Sequence, residues 1–336
     1  MNGRPPRALV APILSAPFRG ADTSQGNTGS RLGVWYKYKN GVVAGTLTLE
    51  MASTLEKHLA AALHSRISRG LPDDIYPTSD LALVDFTSND YLALSKSSEL
   101  KQALLQNLQS TPDILGSGGS RALNHNNLYE ALETRLQNFF NEGKGELEAI
   151  VFNSGQEANI GFFSCVPQQG DFIVYDLHVH ASIHDGMRAS KARSFSFAHN
   201  SVQGLQKVLA RLGDDHPELV SGGVSLFIAL ESIYSMDGSV VPLTQIVEMV
   251  DLMFPSKNAY IMVDEAHSTG LYGPQGRGLV SMLGLQDRVF ARLHTFSKAL
   301  SAAGGKPSLS CTHTTPTYGV TTTQLSFSSH RSFGGS

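Results

Sequence analysis

At 336 residues the chain has room for about two domains of ordinary size and a substantial core. Its 41% hydrophobic and 16% charged residues exclude disorder for the bulk of it, and the net charge of −3 offers no basic field for nucleic acid or an anionic membrane surface. The longer apolar runs, such as 224–230, fall far short of the ~20 residues of a membrane span, and two cysteines, Cys165 and Cys311, cannot build a disulfide framework.

Residues 1–50 hold Arg4, Arg7, Arg19 and Arg31 and no acidic residue before Asp22. That composition predicts a disordered extension, a targeting segment or a mispredicted start upstream of Met51. From 51 to 84 a helical segment is expected, because Leu55, Leu59, Leu63 and Ile67 recur every four positions before Gly70-Leu71-Pro72 stops the pattern. A second amphipathic helix is predicted over 127–140, with Leu128, Leu132, Leu136 and Phe140 on one stripe. Beyond it, short apolar runs at 149–152, 172–175, 224–230, 260–263 and 289–294 read as buried strands, separated by helical patterns such as 202–212 and 243–254. Strands alternating with helices predict an α/β fold with a mainly parallel sheet covered on both faces. From 306 to 336 there is no acidic residue, Ser and Thr dominate, and no periodicity persists, so an aberrant or disordered tail is expected there.

Several segments at strand ends carry chemistry. Val263-Asp264-Glu265-Ala266-His267 has the lettering of an ATPase carboxylate box, but no phosphate loop of the form G-x-x-x-x-G-K-[ST] accompanies it. An Asp at the carboxyl end of a parallel strand still lies where α/β folds bind ligands, and it can equally cap the next helix. His178, His180 and His184, with Asp176 and Asp185, fall within ten residues and offer a metal-ligand reading, hence a metal-dependent hydrolase. Ser154-Gly155-Gln156 lies between a strand and a helix, a phosphate seat or a plain N-cap. Gly116-Ser117-Gly118-Gly119-Ser120-Arg121 is a glycine-rich loop, an anion cradle or a flexible turn. Lys298, just past an apolar strand and flanked by Thr295 and Ser297, is placed for burial, which would make its amine available for Schiff-base chemistry.

In order and spacing these pieces resemble the α-oxoamine synthase family of pyridoxal-phosphate enzymes. The matching segments are SNDYL at 88–92, GSGGSR at 116–121, Ser154-Gly155, DLHVHAS at 176–182, His199-Asn200, ESIYSMDG at 231–238, DEAHSTG at 264–270, GPQGRG at 273–278 and TFSKA at 295–299. The resemblance spans about 51–305 and is closest to the 8-amino-7-oxononanoate synthase branch. It implies a pyridoxal-phosphate transferase fold of type I, with the cofactor-binding large domain at 85–305. It implies Lys298 as the Schiff-base lysine and proton carrier, and Asp264 as partner of the pyridinium nitrogen. His267 and Ser235 would lie at the phenolic oxygen and His180 over the ring. Gly155 and Gln156, after Ser154, would seat the phosphate near Thr295, and Asn89 would lie near the substrate carboxylate. The implied reaction is a decarboxylative condensation of an amino acid, alanine preferred, with an acyl-CoA, pimeloyl-CoA preferred. This is a step of biotin synthesis, carried out by a homodimer. The cytoplasm is the expected compartment, with mitochondrion and peroxisome as alternatives.

Two departures are local: Ala93 and Ser297 stand where the family usually has Gly. The larger one begins after Gly305, where the family continues into a small C-terminal domain that residues 306–336 do not match. A frame change, retained intron or truncated gene model near Gly305 is expected, leaving a cofactor-binding fragment with impaired catalysis as the alternative function.

Overall fold

The computed structural model describes residues 53–70, 85–111, 127–141 and 147–302, together with the strands at 33–38, 41–46, 305–310, 318–321 and 324–327. Two compact units are present, Met1–Val84 and Asp85–Ser336.

In the first unit, β1 (Gly33–Tyr38) and β2 (Gly41–Thr46) pair as an antiparallel hairpin with Gly33 opposite Thr46. Val34, Trp35, Tyr36, Val42 and Val43 are β-branched or aromatic and suit a pleated surface. Helix α1 (Thr54–Ser68) starts at a capping box in which Ser53 Oγ accepts from Glu56 N and Glu56 Oε2 accepts from Ser53 N at 2.6 Å.

The second unit is built on one sheet. Helices α2 (Ser98–Ser110) and α3 (Asn127–Asn141) precede β3 (Leu147–Ala149). There follow α4 (Gly155–Cys165), β4 (Phe172–Asp176), α5 (Ala181–Ala189), β5 (Arg193–Phe197), α6 (Val202–Asp215) and α7 (Pro217–Val220). Then come β6 (Leu226–Glu231), α8 (Leu243–Met253), β7 (Ala259–Asp264), α9 (Leu279–Met282), β8 (Ala291–Thr295) and β9 (Gly305–Ser310). Further on, β10 (Tyr318–Thr321) and β11 (Gln324–Phe327) form a separate antiparallel pair.

The sheet order is β3-β9-β8-β7-β6-β4-β5. Strands β5, β4, β6, β7 and β8 run parallel, and β9 is antiparallel to both of its neighbours. The expected α/β class with a mainly parallel sheet is therefore what forms. Strand β9 carries residues 305–310 into the sheet between β8 and β3. Pro307 lacks a ladder donor and the sequence of the segment has no apolar run, so the local pattern does not signal a strand; the segment pairs with β8 and β3.

All six residues of β6 are buried, as are Phe172, Ile173 and Val174 of β4. Helices press apolar faces onto them: Phe162 and Phe163 from α4, Ile183 from α5, Leu205 and Leu209 from α6, and Ile246 from α8. Each such side chain contributes about 1.5–3 kcal/mol when removed from water. The apolar interior ends abruptly at the carboxyl ends of the parallel strands. There Asp176, Glu231, Asp264 and Thr295 close β4, β6, β7 and β8, all four of them buried.

The segment following Asp264 is held by a second buried acid. Glu265 Oε1 accepts from Val280 N at 2.9 Å, and Gly278 approaches so closely that a Cβ would lie 2.4 Å from that oxygen. Gly278 also has φ +102°, a conformation that favours glycine. Gly278→Ala is expected to lower stability by about 2–4 kcal/mol, the sum of backbone strain and overpacking. Urea unfolding would read this as a lower midpoint at unchanged slope; an unaltered midpoint would contradict the packing described.

Candidate active site

The polar strand ends line a cleft of about 170 Å³ at the mouth of the parallel sheet. An open α/β sheet binds its ligands at this end, because helix N-termini and loops converge there. On one wall, α4 begins at Ser154, whose Oγ accepts from Glu157 N at 3.1 Å. The N–H groups of Gly155 and Gln156 lie in the first turn, where no intrahelical acceptor exists. Gly155 is pressed against Thr295, since an added Cβ would lie 3.3 Å from the Thr295 Cβ. Thr295 and Ser297 add hydroxyls, 2.9 Å apart. Amide N–H groups at a positive helix end beside two hydroxyls form a seat for a phosphate.

At the floor, Asp264 accepts from Ala266 N at 2.9 Å and from Asn159 Nδ2 at 2.8 Å. Both oxygens thus receive an N–H, which suits a carboxylate. Asn159, on the inner face of α4, also donates to Ser182 Oγ at 3.0 Å and ties α5 to the floor. Opposite, His180 is the N-cap of α5, its Nδ1 2.7 Å from Ser182 Oγ, and its side chain lines the cleft. Lys298 enters from the loop after β8, its Nζ 2.7 Å from His267 Nε2. Burial lowers the Lys298 pKa, while the charges of Asp264 and Glu231 partly oppose that shift. Burial and the nearby Lys298 charge bring His267 down to about 4, so its imidazole is neutral at pH 7.

Two residues carry the cleft further than the sequence suggested. Asn159 falls four positions after Gly155, the spacing that turns both toward one face of α4, and that periodicity is the signal by which it could have been found. Glu231 sits beside Asp264 in the β6–β7 register, is 3% exposed, and has Oε1 without a hydrogen-bond partner. Burial, then the Asp264 charge, push Glu231 up to about 8. Glu231 therefore holds its proton at neutral pH beside the Asp264 carboxyl, whose two oxygens each receive an N–H. A folded-state value above the ordinary 4.5 means that the folded chain keeps a proton the unfolded chain releases. The resulting stabilisation is complete below pH 4.5 and is lost as pH rises to 8. Relative to Glu231→Gln, the wild-type chain should lose up to about 1.4 kcal/mol per pH unit across that window. Parallel stability curves in urea at pH 5 to 9 would contradict this.

Other expected residues lie elsewhere. Ser235 is exposed in the turn closed by Gly238 N to Tyr234 O, which carries it away from the cleft lining. Asn89 is also exposed, and it reaches the site through Tyr91, whose Oη lies 3.0 Å from Asn89 Oδ1 and 2.8 Å from His267 Nδ1. Residues 116–121 lie outside the described residues. The metal reading is corrected, because His178, His180 and His184 diverge. His178 stacks on His199 at 4.0 Å, His180 caps α5, and His184 meets the Tyr175 ring edge-on. Among the described residues, ligand-type atoms of three residues approach one another at His178, His199 and Asp237 instead. The buried Asp176 of the same motif is structural. It accepts from His178 N, His199 Nδ1 and Asn200 N, and so joins β4 to the loop after β5.

Residues 82–324 match the family model described as aminotransferase class I and II. An 8-amino-7-oxononanoate synthase from Emericella nidulans is 48% identical over 234 residues, which are 68% of this chain and 55% of that protein. The aminoacyl transferase sphA of Aspergillus fumigatus is 40% identical over 75% of this chain and 54% of its own length. Among solved structures, a serine palmitoyltransferase variant from S. paucimobilis with bound PLP–myriocin aldimine superposes with TM-score 0.62. It is 28% identical, over 78% of this chain and 65% of that one. The chain spans about half the length of the curated relatives it matches.

Proposed function

Because the chain belongs to the pyridoxal-phosphate-dependent aminotransferase class I and II family, we propose that its cleft binds pyridoxal phosphate and serves an α-oxoamine synthase reaction. In that reaction an amino acid condenses with an acyl-CoA, releases carbon dioxide and yields an α-amino ketone. The observation that carries this reading is the meeting of Lys298, Asp264, His180 and a helix-start anion seat in one cleft. The residues fit the cofactor group by group. Gly155, Gln156 and Thr295 would hold its phosphate, Asp264 its ring nitrogen, His267 its phenolic oxygen, His180 its ring face and Lys298 its aldehyde carbon. Bound there, pyridoxal phosphate supplies a ring that withdraws electrons from the substrate α-carbon.

The chain's own residues supply the rest. Asp264, held in place by N–H donors from Ala266 and Asn159, presents its carboxyl to the ring nitrogen of a bound ligand. Lys298, with its amine pushed toward the neutral form, takes and returns the α-proton. Glu231 keeps the floor from carrying two negative charges. Alanine and pimeloyl-CoA are the proposed pair, supported by the higher identity to the oxononanoate synthase than to sphA. Assembly as a homodimer is also proposed, supported by the leucines 100, 104, 105 and 108 left partly exposed on α2.

The test incubates the purified chain with pyridoxal phosphate, then with borohydride. A visible absorbance that borohydride removes, with the added mass on the peptide containing Lys298, is expected; its absence rejects the cofactor assignment. Carbon dioxide release from alanine with pimeloyl-CoA then separates a working synthase from the second reading, a cofactor-binding chain without turnover.

A further inference from the structure

Tyr91 hydrogen-bonds to both Asn89 and His267. The phenol has one proton to donate, and so has a neutral imidazole. Two proton arrangements are available to the row Asn89–Tyr91–His267–Lys298. In the first, Lys298 Nζ donates to His267 Nε2, His267 Nδ1–H donates to Tyr91 Oη, and Tyr91 O–H donates to Asn89 Oδ1. Every contact at 3.0, 2.8 and 2.7 Å is then satisfied by a single hydrogen. In the second, Tyr91 O–H donates to Nδ1 and the imidazole presents Nε2–H to the cleft.

We infer that Tyr91 is a positioning residue whose hydroxyl sets which nitrogen of His267 carries the proton, and thereby whether Nε2 accepts from Lys298 or donates to an oxyanion of a bound ligand. While the amine is free, the first arrangement holds. Once the amine is engaged elsewhere, Nε2 has lost its donor, and the second arrangement lets it serve a phenolic oxygen. One proton relocates from Nδ1 to Nε2 and the net charge is unchanged. Tyr91 is 43% exposed, so water can carry the exchange. Burial, then the charges of Lys298 and His180, lower the His267 pKa to about 4 against the opposing charge of Asp264, so the ring stays neutral across the physiological range. The ligand-bound half of this inference rests on the cofactor reading above; the free-chain half does not.

The experiment uses the full chain labelled with ¹⁵N-histidine. Without cofactor, the wild-type signal of His267 should be the Nδ1–H tautomer. Tyr91→Phe removes the acceptor for that proton, and Asn89→Leu frees the tyrosine hydrogen to donate to Nδ1. Both should shift the ratio toward Nε2–H by roughly tenfold, the worth of one hydrogen bond. The second arm follows the pH titration of the visible absorbance with pyridoxal phosphate, which should move in Tyr91→Phe. A wild-type ring carrying Nε2–H, or two variants with unchanged ratios, overturns the inference. If the wild-type chain forms no adduct on Lys298, the cofactor reading fails while the tautomer result still decides the free-chain half.

Discussion

Lys298→Ala is expected to abolish the borohydride-sensitive absorbance with pyridoxal phosphate and the mass increase on the Lys298 peptide. In a chain that turns over, amino ketone formation should fall by about 10²–10⁴-fold, the usual contribution of a positioned proton carrier. The same change should leave the thermal midpoint equal or higher, because the folded chain holds this amine where burial opposes its charge. Its side chain makes the 2.7 Å contact to His267 and packs no core, so loss of the adduct with an intact far-ultraviolet spectrum would report chemistry and not unfolding. Retention of the absorbance in the variant would move the cofactor attachment to another amine and remove the basis of the proposed function.

Asp264→Asn separates charge from shape. The native carboxylate gives one oxygen to Ala266 N and the other to Asn159 Nδ2. An amide offers one oxygen and one NH₂, so one of those donors loses its acceptor, at about 1–3 kcal/mol of stability. Cofactor attachment at Lys298 should survive, while turnover falls by about 10²–10³-fold, the scale of removing one preorganised electrostatic partner. Attachment with near-normal turnover would show that the ring nitrogen needs no carboxylate here. Glu231→Gln provides the comparison, since it removes a group that already holds its proton at neutral pH and should perturb attachment far less.

Much of the fold can be read from local pattern. The apolar runs at 172–175, 224–230 and 260–263 overlap β4, β6 and β7, and the Ser154 cap sits at the start of α4. Strand ends were legible because a fully buried parallel strand is apolar along its whole length and must stop where polar residues begin. Strand β5 was missed, since its pattern leaves Arg193 and Ser194 exposed at the sheet edge and gives no continuous apolar run. Strand β9 was missed for the opposite reason, an interior place in the sheet taken by a sequence, Gly305 to Ser310, that reads as loop.

Within the site, residues that carry a distinctive letter in a recognisable string, Lys298, Asp264, His267 and His180, could be named from sequence, and all four line one cleft. Ser235 shared a string with Glu231, yet a tight turn sends the serine outward and the strand keeps the glutamate inside. What the sequence by itself determined was the alternation of strands and helices, the caps, and the reactive side chains at strand ends, because these depend on neighbours within a few residues. Only the tertiary structure decided that Glu231 shares the floor with Asp264, that Asn159 ties α4 to Asp264, and that Tyr91 reaches His267 across 176 residues. Such pairings follow from sheet register and loop closure, which bring together groups that no local pattern links.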